Sequence, residues 1–246
     1  MAVSGVAPAS GSSPALPTLS KRRNQDEVHM SKSSKTKDRP IIFNAEMVRA
    51  ILDGRKTQTR RIIKLDHERG MQNPVVRGKK GEVSYVGCRL ASSLCPFGQP
   101  GDRLWVRETF RVMGRATDVA RLMYKASECN SFTESTRTVP IDQCNKQSSY
   151  NWTPSIHMPR WASRITLEIT GARVERLQDI SDVEAMREGI QNLTTASHAG
   201  FGIPGVVNAQ HPTRAFQLLW ESIYGADSWQ ANPWVWVVEF KVIDDE

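Results

Sequence analysis

The sequence predicts an α+β fold: a small mixed or barrel-like sheet with short helices between its strands and long loop insertions. Three observations carry this expectation. Ile165-Thr-Leu-Glu-Ile-Thr170 alternates apolar and polar residues, as a half-buried strand does. Trp234-Val-Trp-Val-Val-Glu-Phe-Lys-Val-Ile243 is the strongest strand signal in the chain. The helices between strands are short, and one of them opens with a capping box at Ser181-Asp-Val-Glu184.

Residues 1 to 38 are rich in Ser, Ala, Pro and charge and lack apolar periodicity, so they read as a disordered basic tail. No basic stretch followed by an apolar one marks a secretory signal there. Met30 stands just before the folded region and is a second candidate start. Pro40-Ile-Ile-Phe43 reads as a short buried strand, and Asn44 as the N-cap of a helix from Ala45 to Asp53. Met47, Ala50 and Ile51 share a face of that helix, and Gly54 stops it. A basic run then leads to Ile62-Ile63, and residues 66 to 100 read as a long loop or insertion.

Pro100-Gly-Asp102 is a turn into a strand from Arg103 to Phe110, and Arg121 to Lys125 is a second candidate strand. Residues 126 to 150 are polar and read as a variable loop. Ala172 to Leu177 continues the sheet after Ile165 to Thr170. The helix opened by Ser181 ends at Gly189, with Val183 and Met186 expected to face inward. Residues 190 to 212 are loop-like. Thr213 to Tyr224 then forms an amphipathic helix with Phe216, Leu219, Trp220 and Ile223 at helical spacing and Gly225 as its stop.

The 246 residues fit one large domain, or one of about 150 to 200 residues with appendages. Hydrophobic residues make up 39% and charged residues 24%, enough for a sizeable core. No run approaches the roughly 18 apolar residues of a membrane-spanning helix, so no membrane is expected. The formal charge of +7 raises the prior for an anionic partner. Residues 1 to 40 hold seven bases and three acids, leaving 26 bases against 23 acids for the body. Four cysteines, Cys88, Cys95, Cys129 and Cys144, form no CxxC pair and point to a reducing compartment. A zinc site from Cys88 and Cys95 with His157 or His198 lacks the usual ligand spacing. Neither a metal nor any other cofactor is expected.

The chemistry concentrates in Gly54-Arg-Lys-Thr-Gln-Thr-Arg-Arg61, which packs four cations and two hydroxyls into a helix-to-strand junction. A solvated basic turn is the plain reading, but site residues gather on loops held by rigid elements. Gly54, Lys56, Thr59 and Arg61 match the Gly-x-Lys-x-x-Thr-x-Arg pattern of the ASCH family, which the chain resembles over roughly residues 39 to 243. Trp152-Thr-Pro-Ser-Ile-His-Met-Pro-Arg-Trp161 is similar to a segment of the larger phage and prophage members. The resemblance implies a PUA-like β-barrel over residues 39 to 246, with insertions at about 66 to 100, 111 to 160 and 190 to 212. It also implies a nucleoside or RNA partner and the cytoplasm of a bacterium or phage-infected cell. A small bacterial member hydrolyses the amide of N4-acetylcytidine with a Lys, a Thr and a Glu, which fall on Lys56, Thr59 and Glu188.

That chemistry is physically consistent. Thr59 serves as nucleophile if Lys56 is a neutral base, its pKa depressed by burial and by Arg55, Arg60 and Arg61. Residues 56 and 59 point to opposite faces of an extended strand, so a tight or 3₁₀-like turn at 56 to 58 is required. Glu188, an acid in a last helical turn, opposes the helix dipole and should have a cationic partner or a task. A bare Lys56–Glu188 salt bridge is the alternative. In the second constellation, Trp152 and Trp161 could stack a base while Arg160 holds a phosphate, with His157 between prolines, or the tryptophans could plug the barrel. Three functions remain open: an amidohydrolase acting on an N4-acylated cytidine, with Arg61 orienting the substrate; a non-catalytic RNA or modified-base binding module, or a ribonuclease; and a phage accessory protein.

Overall fold

The computed structural model describes residues 36–63, 75–77, 83–85, 94–197 and 199–243. The tail up to residue 35, most of segment 66–100, Cys88 and His198 lie outside the described residues. In chain order the elements are β1 (Asp38–Ile42), α1 (Ala45–Leu52), β2 (Gln58–Ile62), β3 (Val75–Arg77), β4 (Val83–Tyr85), β5 (Arg103–Arg107), β6 (Phe110–Arg115) and β7 (Val119–Tyr124). There follow α2 (Phe132–Ser135), β8 (Thr136–Pro140), β9 (Thr166–Arg176), α3 (Asp182–Arg187), β10 (Gln191–Asn192), β11 (Phe201–Ile203), β12 (Val207–Ala209), α4 (Pro212–Tyr224) and β13 (Trp234–Ile243). The class is mixed α and β, mostly sheet. No helix among the described residues is long and apolar enough to cross a membrane.

The main sheet has the order β1-β5-β9-β13-β2, with β1 parallel to β5 and the other pairs antiparallel. It is mixed, as the sequence predicts, but among the described residues it does not close into a barrel. The seam between β1 and β2 holds a side chain instead of a backbone ladder: Arg61 Nη2 donates to the Ile42 carbonyl at 2.6 Å. β1 starts at Asp38, earlier than the sequence suggests. Asp102 fixes it there, accepting from the Lys37 amide at 3.2 Å and from Arg39 Nη1 at 2.8 Å. β9 merges two expected strands into one, with a register shift opposite Glu239 and Phe240.

β13 explains its own apolar run. Trp236, Val238 and Phe240 enter a core with Phe43, Ile51, Leu104 and Leu167, whereas Val235 and Val237 enter a second core with Leu177, Ala185, Phe216 and Trp220. A strand covered on both faces is apolar at successive positions. The helices α3 and α4 bury a narrower face than their spacing suggests. Val183 is 62% exposed and Ile223 45%, so neither faces inward as expected, while Ala185 and Ala215 are fully buried.

Arg121 to Lys125 is strand as expected, largely within β7, and parts of the two segments read as loops, 126–150 and 190–212, are folded. β6, β7 and β8 form an antiparallel sheet over a third core containing Phe110, Val112, Leu122, Tyr124, Val139 and Met158. Only alternate residues enter that core, which is why the segment looks polar overall. Residues 191–209 form the three-stranded sheet β10-β11-β12, whose Ile203 joins the second core. Cys95, Cys129 and Cys144 are free thiols.

The third core is anchored by polar groups. Arg164 donates to both oxygens of the buried Glu108, at 2.9 and 3.1 Å, and its guanidinium lies 4.1 Å from the Tyr124 ring centroid. The Tyr124 hydroxyl donates to the Ala162 carbonyl at 2.9 Å. Burial, with the Glu108 charge adding, raises the Tyr124 pKa far above its ordinary 10.0. The folded state therefore keeps a proton that the unfolded chain loses, and this stability is present below pH 10 and lost above it. Tyr124→Phe should cost about 1–3 kcal/mol by orphaning the carbonyl. It should also flatten the alkaline fall in stability, read from urea midpoints across that range.

Candidate active site

The site grows from two helix ends. α1 ends on Gly54, whose φ of +71° is the left-handed geometry of a helix stop. The amides of Arg55 and Lys56 both return to the Ala50 carbonyl at 2.9 Å, hooking the chain back under the helix. The Thr57 amide donates to the Arg187 carbonyl at 2.9 Å and ties the hook to the end of α3. β2 begins only at Gln58. Residues 56–58 thus form a hooked junction, and the expected 3₁₀-like turn is absent, because Lys56 never enters the strand.

α3 opens with its reciprocal capping box and closes on Glu188 and Gly189, with φ +107° at the glycine. A Cβ there would stand 3.1 Å from the Ala50 Cβ and 3.5 Å from the Lys56 Cβ. This close approach sets Lys56 against Glu188. Lys56 Nζ donates to Glu188 Oε2 at 2.8 Å and to the Glu188 carbonyl at 2.9 Å, while Arg60 Nη1 donates to Oε1 at 3.1 Å. Both oxygens of one buried carboxylate therefore carry a cation, which supplies the partner that an acid at this helix end requires.

The pairing extends outward. Arg60 Nη2 lies 3.2 Å from Glu175 Oε2 and 3.4 Å from Glu184 Oε2, and Arg173 joins Glu175, Glu184 and Glu239. The Lys56 and Arg60 side chains are 1% and 0% exposed. Burial pushes the Lys56 pKa below its ordinary value, Glu188 pulls it back up, and Arg61 and Arg60 push with burial. The net direction is downward, so the neutral amine is accessible at a lower pH than for an exposed lysine.

β2 is an edge strand whose faces meet different partners. Thr59 and Arg61 stand opposite Val238 and Trp236, on the Phe43 side, whereas Arg60 lies 6.0 Å from the Phe216 ring centroid. A cavity of about 190 Å³ opens along this edge. Thr59, Arg60, Arg61 and Glu188 form its polar side, and Phe216, Trp220 and Tyr224 of α4 its aromatic side. The Trp220 and Tyr224 rings stand 4.3 Å apart. Among the described residues, Nε of Arg60, Nε of Arg61 and Nε1 of Trp220 are buried donors without a hydrogen-bond partner. An aromatic wall facing a cationic and polar side favours a planar ligand.

The structure thus joins Lys56, Glu188 and Arg60 directly; Thr59 and Arg61 line the cavity with Glu188 and Arg60, and Lys56 stands behind Glu188 and does not line it. Among the described residues no hydrogen bond links Lys56 to Thr59. Arg61 lies 5.2 Å from the Phe43 ring centroid. Arg55 is outside the cavity, bonded to the Gly189 carbonyl at 3.0 Å and to Asp53 at 2.7 Å. Trp152, His157, Arg160 and Trp161 do not line it. Trp161 packs on the third core, meeting Phe110 edge-on at 6.4 Å, and Trp152 stands against Arg111 and Lys125. Arg160 lies 3.3 Å from Thr166 Oγ1, and His157 is exposed. The aromatic wall escaped sequence reasoning because Phe216, Leu219 and Trp220 are fully explained as a core helix. Tyr224, one turn beyond Trp220, was the available signal.

Two glycines test how this junction is built. Gly54→Ala meets no atom within 4 Å and should cost about 1–2 kcal/mol for the left-handed backbone alone. Gly189→Ala adds the contact with Ala50 and should cost more, about 2–4 kcal/mol. Equal shifts in urea midpoint for the two variants would show that the helix ends are not in close contact.

No family model, curated protein or solved structure matches this chain.

Proposed function

We propose that the protein hydrolyses an amide on a modified nucleobase, with an N4-acylated cytidine such as N4-acetylcytidine as substrate, in the cavity beside Glu188. The proposal places the chain with the PUA-like ASCH proteins that its Gly54-to-Arg61 motif resembles, acting in the cytoplasm of a bacterium or phage-infected cell. One observation carries it. A fully buried lysine with a lowered pKa is held on a glutamate that lines an aromatic cavity together with a threonine.

In this reading neutral Lys56 takes the Thr59 hydroxyl proton as Oγ1 adds to the acyl carbonyl. The bond from that carbon to the exocyclic nitrogen breaks, and the amine leaves with the proton returned by Lys56. Water then hydrolyses the acyl-threonine. Glu188 and Arg60 position the lysine, Arg61 orients the substrate, and the α4 aromatics cover the base. In this reading the Lys56–Thr59 hydrogen bond forms only in the substrate complex. A second reading, a non-catalytic module for RNA or a modified base, draws on the occupation of both Glu188 oxygens by cations.

Purified protein should release cytidine from N4-acetylcytidine, with a rate that rises with pH through the lowered Lys56 pKa. Lys56→Ala and Thr59→Ala should each reduce kcat by about 100-fold or more while circular dichroism shows the fold intact. Turnover unchanged in Lys56→Ala ends this mechanism. No turnover by folded wild-type protein transfers the argument to the binding module.

A further inference from the structure

The β6-β7-β8 sheet gives one face to the third core and leaves the other outward. Arg111 and Met123 are ladder partners on the outer face, and Arg121 stands there opposite Gly114 and Thr138. Residues 110–161 hold seven Lys and Arg against four Asp and Glu, while the rest of 41–246 holds nineteen of each. The body's net positive charge therefore belongs to this unit.

Lys125 pairs with Glu128 and Arg160 lies near Asp38, but three of those cations face no acid. Among the described residues Arg111, Arg115 and Arg121 have no carboxylate partner. Arg111 and Arg115 donate to the Tyr150 and Lys146 carbonyls at 3.0 and 2.6 Å, and Arg121 lies 5.2 Å from the Phe132 ring centroid. A depression of about 240 Å³ separates Arg115 from Arg121, lined by Met113, Gly114 and Val119 where the strand register shifts. Tyr150 is 94% exposed and Phe132 53%.

We propose that this outer face binds single-stranded nucleic acid, with phosphates at Arg115 and Arg121 and bases stacked on Tyr150 and Phe132. Unpaired arginines supply the electrostatic attraction, and exposed rings need the splayed bases of a single strand, which a duplex withholds. An acidic protein would use the cations but leave two exposed rings without a role. The surface stands apart from the cavity at Glu188 and does not depend on hydrolysis there.

The test is fluorescence anisotropy of the full chain with a labelled single-stranded RNA of ~12 nucleotides across a salt series. Arg115→Gln with Arg121→Gln should weaken binding and reduce the slope of log affinity against log salt by about 1.4, two phosphate contacts at about 0.7 each. Tyr150→Ala should weaken binding by about fivefold or more without changing that slope. Replacing Lys21, Arg22 and Arg23 by Ala should leave the reduced slope of the double variant and the effect of Tyr150→Ala in place. The proposal is overturned if wild type does not bind, or if the double variant keeps the wild-type slope. Binding abolished by the Lys21, Arg22 and Arg23 replacements, or equal competition by polyglutamate and RNA, overturns it as well. Because the readout is binding, it stands or falls separately from turnover.

Discussion

Glu188 carries its carboxylate into the interior with one oxygen on Lys56 and the other on Arg60, and this shared charge dictates how three distant parts of the chain meet. An unpaired charge in that position would cost several kcal/mol, about 3–5 when one partner of such a pair is removed. The end of α1, the start of β2 and the end of α3 must therefore converge together. Gly54 and Gly189 supply the backbone freedom, and the Ala50 and Arg187 carbonyls hold the hook in register. Arg60 then passes the constraint on through Glu175, Glu184 and Arg173, so the proposed catalytic group and the structural network rest on the same atoms.

β13 shows how a small sheet supports both a site and an added unit. Its alternate residues serve two cores, so the sheet is held from both faces, and β2 can remain an edge with a cavity beside it. The β6-β7-β8 unit has its own core and joins the main sheet through the Glu108–Arg164 pair and the start of β9. Variation on its outer face is thus decoupled from the geometry around Glu188.

Much of this was legible because it is local. Asn44, Gly54, the Ser181 capping box, Gly225 and the apolar run of β13 report their conformations through neighbouring residues alone. The anomaly of Glu188 at a helix end pointed correctly to a cationic partner. What failed needed distant information. The polar insertion hides a core made of alternate residues, and Val183 and Ile223 lie at apolar helical positions that the second core does not reach. Of the second constellation, Trp161 packs on the third core, apart from the cavity at Glu188. The pairing of Arg173 with Glu175 and Glu184 is not legible, because strand charges announce their partners only when the facing helix is in place.

The seam between β1 and β2 decides how readily anything passes through that side of the sheet. In a closed barrel, entry between strands would break a run of backbone bonds cooperatively. Here a single arginine side chain, anchored on the Ile42 carbonyl, is the latch. Releasing it costs the hydrogen bond of a charged donor, roughly 1.5–3 kcal/mol, and the contact with the Phe43 ring, and involves a side-chain rotamer change. Among the described residues, then, what spans this edge is a side-chain contact that can rearrange without unfolding the strands.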